Sequence, residues 1–283
     1  MPRVGAHDDG SGTLVCFHAH PDDECIATGG IIAQAAADGR RVVLVLATRG
    51  ELGELKGDAP APGEDLARIR TAETERAAEM LRISRVEFLG YRDSGMAGTP
   101  HNDAPGSFWS ADLDEAAERL ASILEEETAE VLTVYDDNGV YGHPDHIQVH
   151  RVGVRAAERA GTPRVYEATV NNDAVRRIAA ARLSEARTTG VALPPEFTDP
   201  AEISIGVPES RITTSVDVGA FVDIKRAALA AHASQIDETS FFLAMGLDVF
   251  REVFGTEWFI RRGAPPGLQE TSLFSPDLPA SGA

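Results

Sequence analysis

Cysteine is scarce, with Cys16 and Cys25 the only two in 283 residues. Cys16 sits inside an apolar run, so the pair reads as reduced packing residues rather than a disulfide. Basic charge is also short. Lys and Arg number 26 against 45 Asp and Glu, for a net charge of −19. Nucleic acid and anionic membrane would be repelled, so neither is an expected partner. No hydrophobic run approaches the ~20 residues of a membrane span. The opening stretch, MPRVGAHDDGSG, contains no apolar signal-peptide core. The expectation is a soluble, cytoplasmic protein. There is no internal repeat and no clear linker.

What is present is ordinary for a globular chain, 43% hydrophobic and 25% charged. The length suits one large domain or two small ones. Residues 13–17, Thr-Leu-Val-Cys-Phe, are apolar and β-branched, and Pro21 ends any strand there by His20. A helix is expected over 26–38, stopped by Gly39, then a buried strand over 41–48. Strand, helix and strand with short connections make a right-handed βαβ unit. Helices are expected over 65–82, 112–127, 144–159 and 173–187, and strands over 86–91, 131–135 and 164–169. An outer strand over 211–216 and helices over 220–232 and 239–254 follow, with Phe241, Phe242, Phe250 and Phe254 read as core. The expected fold class is therefore α/β. A Rossmann-like, mostly parallel sheet with helices on both faces fills residues 13–170. A smaller α+β addition over 171–262 completes the fold and the substrate pocket. Residues 1–12 read as a disordered polar N-terminus and 263–283 as a tail.

Two polar stretches follow predicted strands, where open α/β sheets bind ligands. The first is His18-Ala19-His20-Pro21-Asp22-Asp23-Glu24, and the second runs from Tyr141 to His146. Zinc takes imidazole nitrogen and carboxylate oxygen, with three protein ligands in a catalytic site. His20 and Asp23 lie three apart in a tight turn and can converge on one ion. A third ligand must come from the second stretch, which offers His143, His146 and, one turn later, His150. If Pro144 opens a helix, His146 lies in its first turn and faces the sheet edge. Asp22, beside Asp23, is placed to accept a proton from a metal-acidified water. His143 could stabilise an oxyanion or protonate a leaving amine, with Asp145 orienting it and raising its pKa. His18 alternates away from His20 and reads as packing. His150 and His232 read as supporting or structural, and Glu24 as capping the next helix or bonding the site. His7-Asp8-Asp9 lies in a Gly-rich polar segment and reads as no ligand set.

The string Ala19-His20-Pro21-Asp22-Asp23-Glu24 resembles the opening motif of the LmbE-like, or PIG-L, family of zinc-dependent de-N-acetylases. His143-Pro144-Asp145-His146 resembles its second motif. Thr48-Arg49-Gly50-Glu51, Arg92-Asp93-Ser94-Gly95-Met96 and Ala231-His232-Ala233-Ser234-Gln235 are similar to further family segments. The resemblance spans about residues 13–260 and is strongest to members of the actinobacterial thiol pathway. It implies His20, Asp23 and His146 as zinc ligands, with iron or another divalent metal as alternatives. It implies Asp22 as general base, and His143 as acid or oxyanion stabiliser tuned by Asp145. Tyr141 would polarise the substrate carbonyl, and Arg70 and Asp93 would contact the sugar. Loops 57–64, 97–110 and 188–200 match no one subfamily and would shape the acceptor pocket.

The expected function is hydrolysis of an N-acetyl or similar N-acyl group from an amino sugar or glycoside, which is then the partner. A homo-oligomer stays open. One rival is an amidase on a thiol conjugate or secondary metabolite. Another is a Rossmann-like nucleotide-binding protein, against which stand the missing G-x-G-x-x-G string and three carboxylates where a phosphate would sit. A third is a metal- or sugar-binding protein without turnover, for which the spare carboxylate of Asp22 has no use.

Overall fold

The six residues Thr13–His18 form β1, and every one of them is buried. A strand buried on both faces needs neighbours on both edges and layers above and below. The computed structural model describes residues 12–56, 65–189 and 199–275. The expectations for 1–11, for loop 57–64 and for most of 188–200 lie outside the described residues. β1 pairs in parallel with β2 (Arg41–Leu46) and with β4 (Ala129–Tyr135). β3 (Arg85–Phe88) and β5 (Arg164–Thr169) add parallel strands outside these. The full order is β3-β2-β1-β4-β5-β7-β6. The fold is α/β and Rossmann-like, as the sequence leads one to expect. Its strand order reverses between β1 and β4, so the loops after these two strands open into one crevice.

Alternation along the strands splits the core in two. On one face Leu14, Cys16, Leu44 and Leu46 pack with Ile31 and Ile32 of the helices described next. On the other, Val15, Phe17, Val43 and Val45 pack with Leu120, Leu124, Val149 and Val152. Cys16 and Cys25 are buried free thiols. The expected helix over 26–38 is two helices, α1 (Asp23–Ala27) and α2 (Gly29–Ala37). They break at Thr28 (φ −137°), whose hydroxyl donates to Glu24 O and receives His18 Nε2 at 2.8 Å. His18 is thus a packing residue, as expected.

α3 (Leu66–Leu81) starts where the Asp65 carboxylate accepts the Arg68 N–H at 2.8 Å. Asp112 does the same for α4 (Leu113–Glu126). A short turn, α5 (Gly139–Gly142), precedes α6 (Pro144–Ala160), which has Pro144 in its first turn and stops at Gly161 in a left-handed conformation. α7 (Asn172–Thr189), α8 (Val222–Ala230), α9 (Phe241–Ala244) and α10 (Leu247–Phe254) follow. Among the described residues no helix is long and apolar enough to cross a membrane.

Three expectations in the C-terminal part need correcting. The single helix over 239–254 is broken at Met245 and Gly246. A strand that the pattern did not reveal, β7 (Thr256–Arg261), lies between β5 and β6 (Thr214–Asp217), antiparallel to both. Its inward positions are Phe259 and a buried Glu257. A buried carboxylate in the apolar alternation hides the strand. The segment after Arg262 is no free tail as far as residue 275. Ser215 N–H and Thr213 O bond the Glu270 backbone, and Leu268 and Leu273 are buried.

Glu257 is also the start signal of α2, supplied from across the sheet. Its oxygens accept the Gly30 and Ile31 N–H groups at 2.7 and 2.9 Å, and Lys225 Nζ at 2.7 Å. Lys225 is 1% exposed, so nothing else replaces its partner. Glu257→Ala is therefore expected to lose about 3–5 kcal/mol of stability, the cost of stranding a buried charge. Urea denaturation measures it, and a loss below about 1 kcal/mol, as for an exposed pair, would sink that account.

Candidate metal centre

β1 delivers the first loop. Its turn is closed by the His20 N–H, which donates to Asp23 Oδ2 at 3.0 Å. Asp22 has φ 95°, a left-handed backbone costing a non-glycine residue roughly 1–3 kcal/mol. Two contacts hold it there. Its N–H donates to Glu24 Oε2 at 2.9 Å, and its Oδ2 receives Arg70 Nη2 at 3.2 Å.

β4 delivers the second loop. Buried Asp136 accepts the Asn138 and Val140 N–H groups and the Thr169 hydroxyl, which folds the chain back at once. Gly139 has φ 60°, and a Cβ there would meet His146 Cβ at 2.6 Å, so only glycine lets the loop close over α6. Val140 is also left-handed, at φ 68°. Tyr141 follows, half exposed, with its hydroxyl 3.5 Å from His146 Nε2. His143 caps α6: its Nδ1 accepts the Asp145 N–H at 3.1 Å. The loop after β3 adds Asp93, whose oxygens accept the Gly95 and Leu52 N–H groups.

The expected residues converge. Asp23 Oδ2 stands 3.4 Å from His20 Nδ1 and 3.3 Å from His146 Nε2. Two ligands on a tetrahedral zinc with bonds of about 2.0–2.1 Å lie roughly 3.3–3.4 Å apart. The donor set, and the spacing of Asp23 from each histidine, therefore fit a divalent metal. His143 also lies within reach of the same group, its ring centroid 4.8 Å from that of His20 and 5.2 Å from that of His146. Four buried or nearly buried aspartates, Asp22, Asp23, Asp93 and Asp145, crowd this space, and among the described residues Arg70 is the one guanidinium bonded to them. Such an excess of negative charge calls for a cation. Asp145 Oδ1 and His146 Nδ1 are buried and lack a hydrogen-bond partner among the described residues.

The electrostatics follow from burial and neighbours. Burial raises the Asp23 carboxyl, but His146 and His20 outweigh it and hold it well below the carboxylate range. Burial lowers His20, yet Asp145, Asp23 and Asp93 carry it well above the usual histidine value. Asp22 is pushed up to about 6 by burial, with Arg70 opposing. His143 is pushed down to about 4, by burial and then by His20 and His146.

Two expected roles need revision. Asp145 does not orient the His143 ring through its carboxylate. Its Oδ2 is taken by His20 Nε2 at 3.1 Å and by the Ser94 N–H at 3.0 Å. His143 bonds Asp145 through the main-chain N–H, and burial outweighs the rise from the carboxylate. Arg70, expected at the sugar, is 4% exposed and gives its N–H groups to Gly50 O, Pro21 O and Asp22. It supports Asp22 from within the protein. His150 bonds Tyr135 O at 2.9 Å, a supporting contact.

Other contributors escaped the sequence reading. Tyr135 stacks on His146 at 4.3 Å and its hydroxyl meets His18 Nδ1 at 2.8 Å. It ends a strand and looked like core. Asp136 acts through a carboxylate that folds the loop, and Ser94 through its backbone N–H, for which residue type gives no signal.

Residues 15–157 match the family profile described as PIG-L: GlcNAc-PI de-N-acetylase. The chain belongs to the PIG-L family. It is a metal-dependent N-deacetylase, a hydrolase, which removes the nucleotide-binding rival. A protein of Thermobifida fusca named 1D-myo-inositol 2-acetamido-2-deoxy-alpha-D-glucopyranoside deacetylase is 40% identical, over 93% of this chain and 98% of its own. Among solved structures, the PIG-L chain resembles N,N'-diacetylchitobiose deacetylase from Pyrococcus horikoshii. The TM-score is 0.55 at 22% identity, covering 90% of this chain and 84% of that one. It also resembles the 4-carboxy-2-hydroxymuconate hydratase GalB of Pseudomonas putida, with a TM-score of 0.53 at 19% identity over 90% and 97%. These two likenesses concern the fold alone.

Proposed function

We propose that this PIG-L enzyme removes the acetyl group from an N-acetylglucosaminyl inositol, with zinc as its metal. The observation that carries the substrate is the 40% identity to the Thermobifida fusca deacetylase along nearly the whole of both chains. The reading goes with a cytoplasmic enzyme acting on a free small glycoside.

In this reading His20, Asp23 and His146 hold the metal. When bound, a divalent metal supplies an acidified water and a Lewis acid for the amide oxygen. Asp22 takes the proton of the attacking water and can return it to the leaving amine. Its carboxylate is not needed as a ligand, and Arg70 fixes one of its oxygens. His143 acts as a neutral hydrogen-bond donor. Its Nδ1 already accepts the Asp145 N–H, so the ring proton sits on Nε2. An Nε2–H aimed at the developing oxyanion stabilises it without prior protonation. Tyr141, half exposed at the mouth, adds a second hydroxyl donor there. Asp93 offers a carboxylate edge to sugar hydroxyls.

The test is amine release from a panel: N-acetylglucosaminyl inositol, N-acetylglucosamine and diacetylchitobiose, each with chelator and with zinc or iron added back. Release is expected fastest from the inositol glycoside, abolished by chelation and restored by zinc. No release from the inositol glycoside would overturn the substrate, and restoration by iron alone would overturn the metal.

A further inference from the structure

We propose that His232 and Glu24 form a buried brace that positions Asp22. The inference rests on Asp22 being the base.

Asp22 reaches the site only because its backbone is left-handed, at φ 95°. Its side chain makes no cap to α1 and is held by Arg70 alone among the described residues. The Asp22 N–H is instead held by Glu24 Oε2 at 2.9 Å. Glu24 is 0% exposed, so this contact lies within the protein. Its other oxygen receives His232 Nε2 at 2.7 Å and the Cys25 S–H at 3.3 Å. Glu24, Cys25 and His232 also form a group that could hold a metal. However, a 2.7 Å separation is a hydrogen bond, too short for two ligands on one zinc at about 2.0–2.1 Å each.

His232 is itself fixed from outside the loop. The segment after α8 is clamped to α3, where Ser234 gives its N–H and hydroxyl to the two oxygens of Glu73 at 2.8 and 2.7 Å. Lys56 N–H bonds Ser234 O at 2.7 Å. The same helix carries Arg70, which holds the Asp22 carboxylate and Pro21 O. Backbone and side chain of Asp22 are therefore referred to one frame. With the brace gone, the turn relaxes and the carboxylate moves. A displacement of about 1 Å can cost about a hundredfold in rate.

The test uses a pair of amides. His232→Gln puts an N–H where Nε2 stands, facing Glu24. His232→Asn puts it near Nδ1, which has no hydrogen-bond partner among the described residues. Both are compared with Asp22→Asn on the best glycoside of the panel, with kcat and KM given per bound metal. The Gln variant is expected to stay within about tenfold of the parent. The Asn variant is expected to fall about a hundredfold in kcat with little change in KM, the mark of an interaction felt in the transition state. Equal kcat for the two, or a loss in the Asn variant that vanishes per bound metal, overturns the brace. Should Asp22→Asn be inactive in that case, the base assignment stands alone. An active Asp22→Asn overturns the base and the brace together.

Discussion

Asp22→Asn is expected to keep its metal and lose turnover by about a thousandfold, within the 10²–10⁴ that a positioned base contributes. Asparagine has nearly the shape of aspartate and tolerates positive φ better than most residues, so the strained turn survives. The N–H to Glu24 is backbone and is untouched. The amide oxygen can still accept the Arg70 N–H that Asp22 Oδ2 receives at 3.2 Å. What is lost is the one property asparagine lacks, a site for the proton of water. Metal analysis and steady-state kinetics check both halves. A variant within tenfold of the parent would falsify the assignment of Asp22 as base. Loss of metal together with turnover would move Asp22 into the ligand set instead.

Much of this site was legible because its groups arrive as two short strings after two strands. Pro21 and Pro144 mark where each strand stops and where α6 begins, and the spacing of His20 from Asp23 already implies one turn. The parallel strands were legible for a similar reason. Buried on both faces, β1 and β2 read as continuous apolar runs. What stayed hidden depends on partners far along the chain. β7 carries a buried Glu257 that only Lys225 and the start of α2 explain. Asp145 looked like a partner for its neighbour His143, and folding gives it to His20, 125 residues away. Arg70 was expected at the sugar, and the loops of Pro21 and Gly50 take its N–H groups instead. In each case the partner of a polar residue is supplied by folding, and local sequence cannot name it.

The choice between His143 and His146 as third ligand is where the two readings of the second loop divide. Both belong to the same group with His20. Only His146 has a nitrogen 3.3 Å from Asp23 Oδ2, while His143 spends Nδ1 on the cap of α6. His146→Ala is therefore expected to bind zinc at least about a hundredfold more weakly, since even losing a partner of a ligand costs 10–100-fold. His143→Ala is expected to bind zinc nearly as the parent does and to lose turnover by about a hundredfold or more, the cost of one oxyanion donor. Thermal unfolding separates them without an assay of activity. A ligand at a hundred times its Kd stabilises the folded state by about 2.7 kcal/mol. Added zinc should raise the melting temperature of the parent and of His143→Ala, and leave His146→Ala unmoved. The reverse pattern would make His143 the ligand, and its Nε2–H could then donate nothing to the oxyanion. Of the two donors proposed at the mouth Tyr141 would then be left, and Tyr141→Phe would have to carry the whole of that loss.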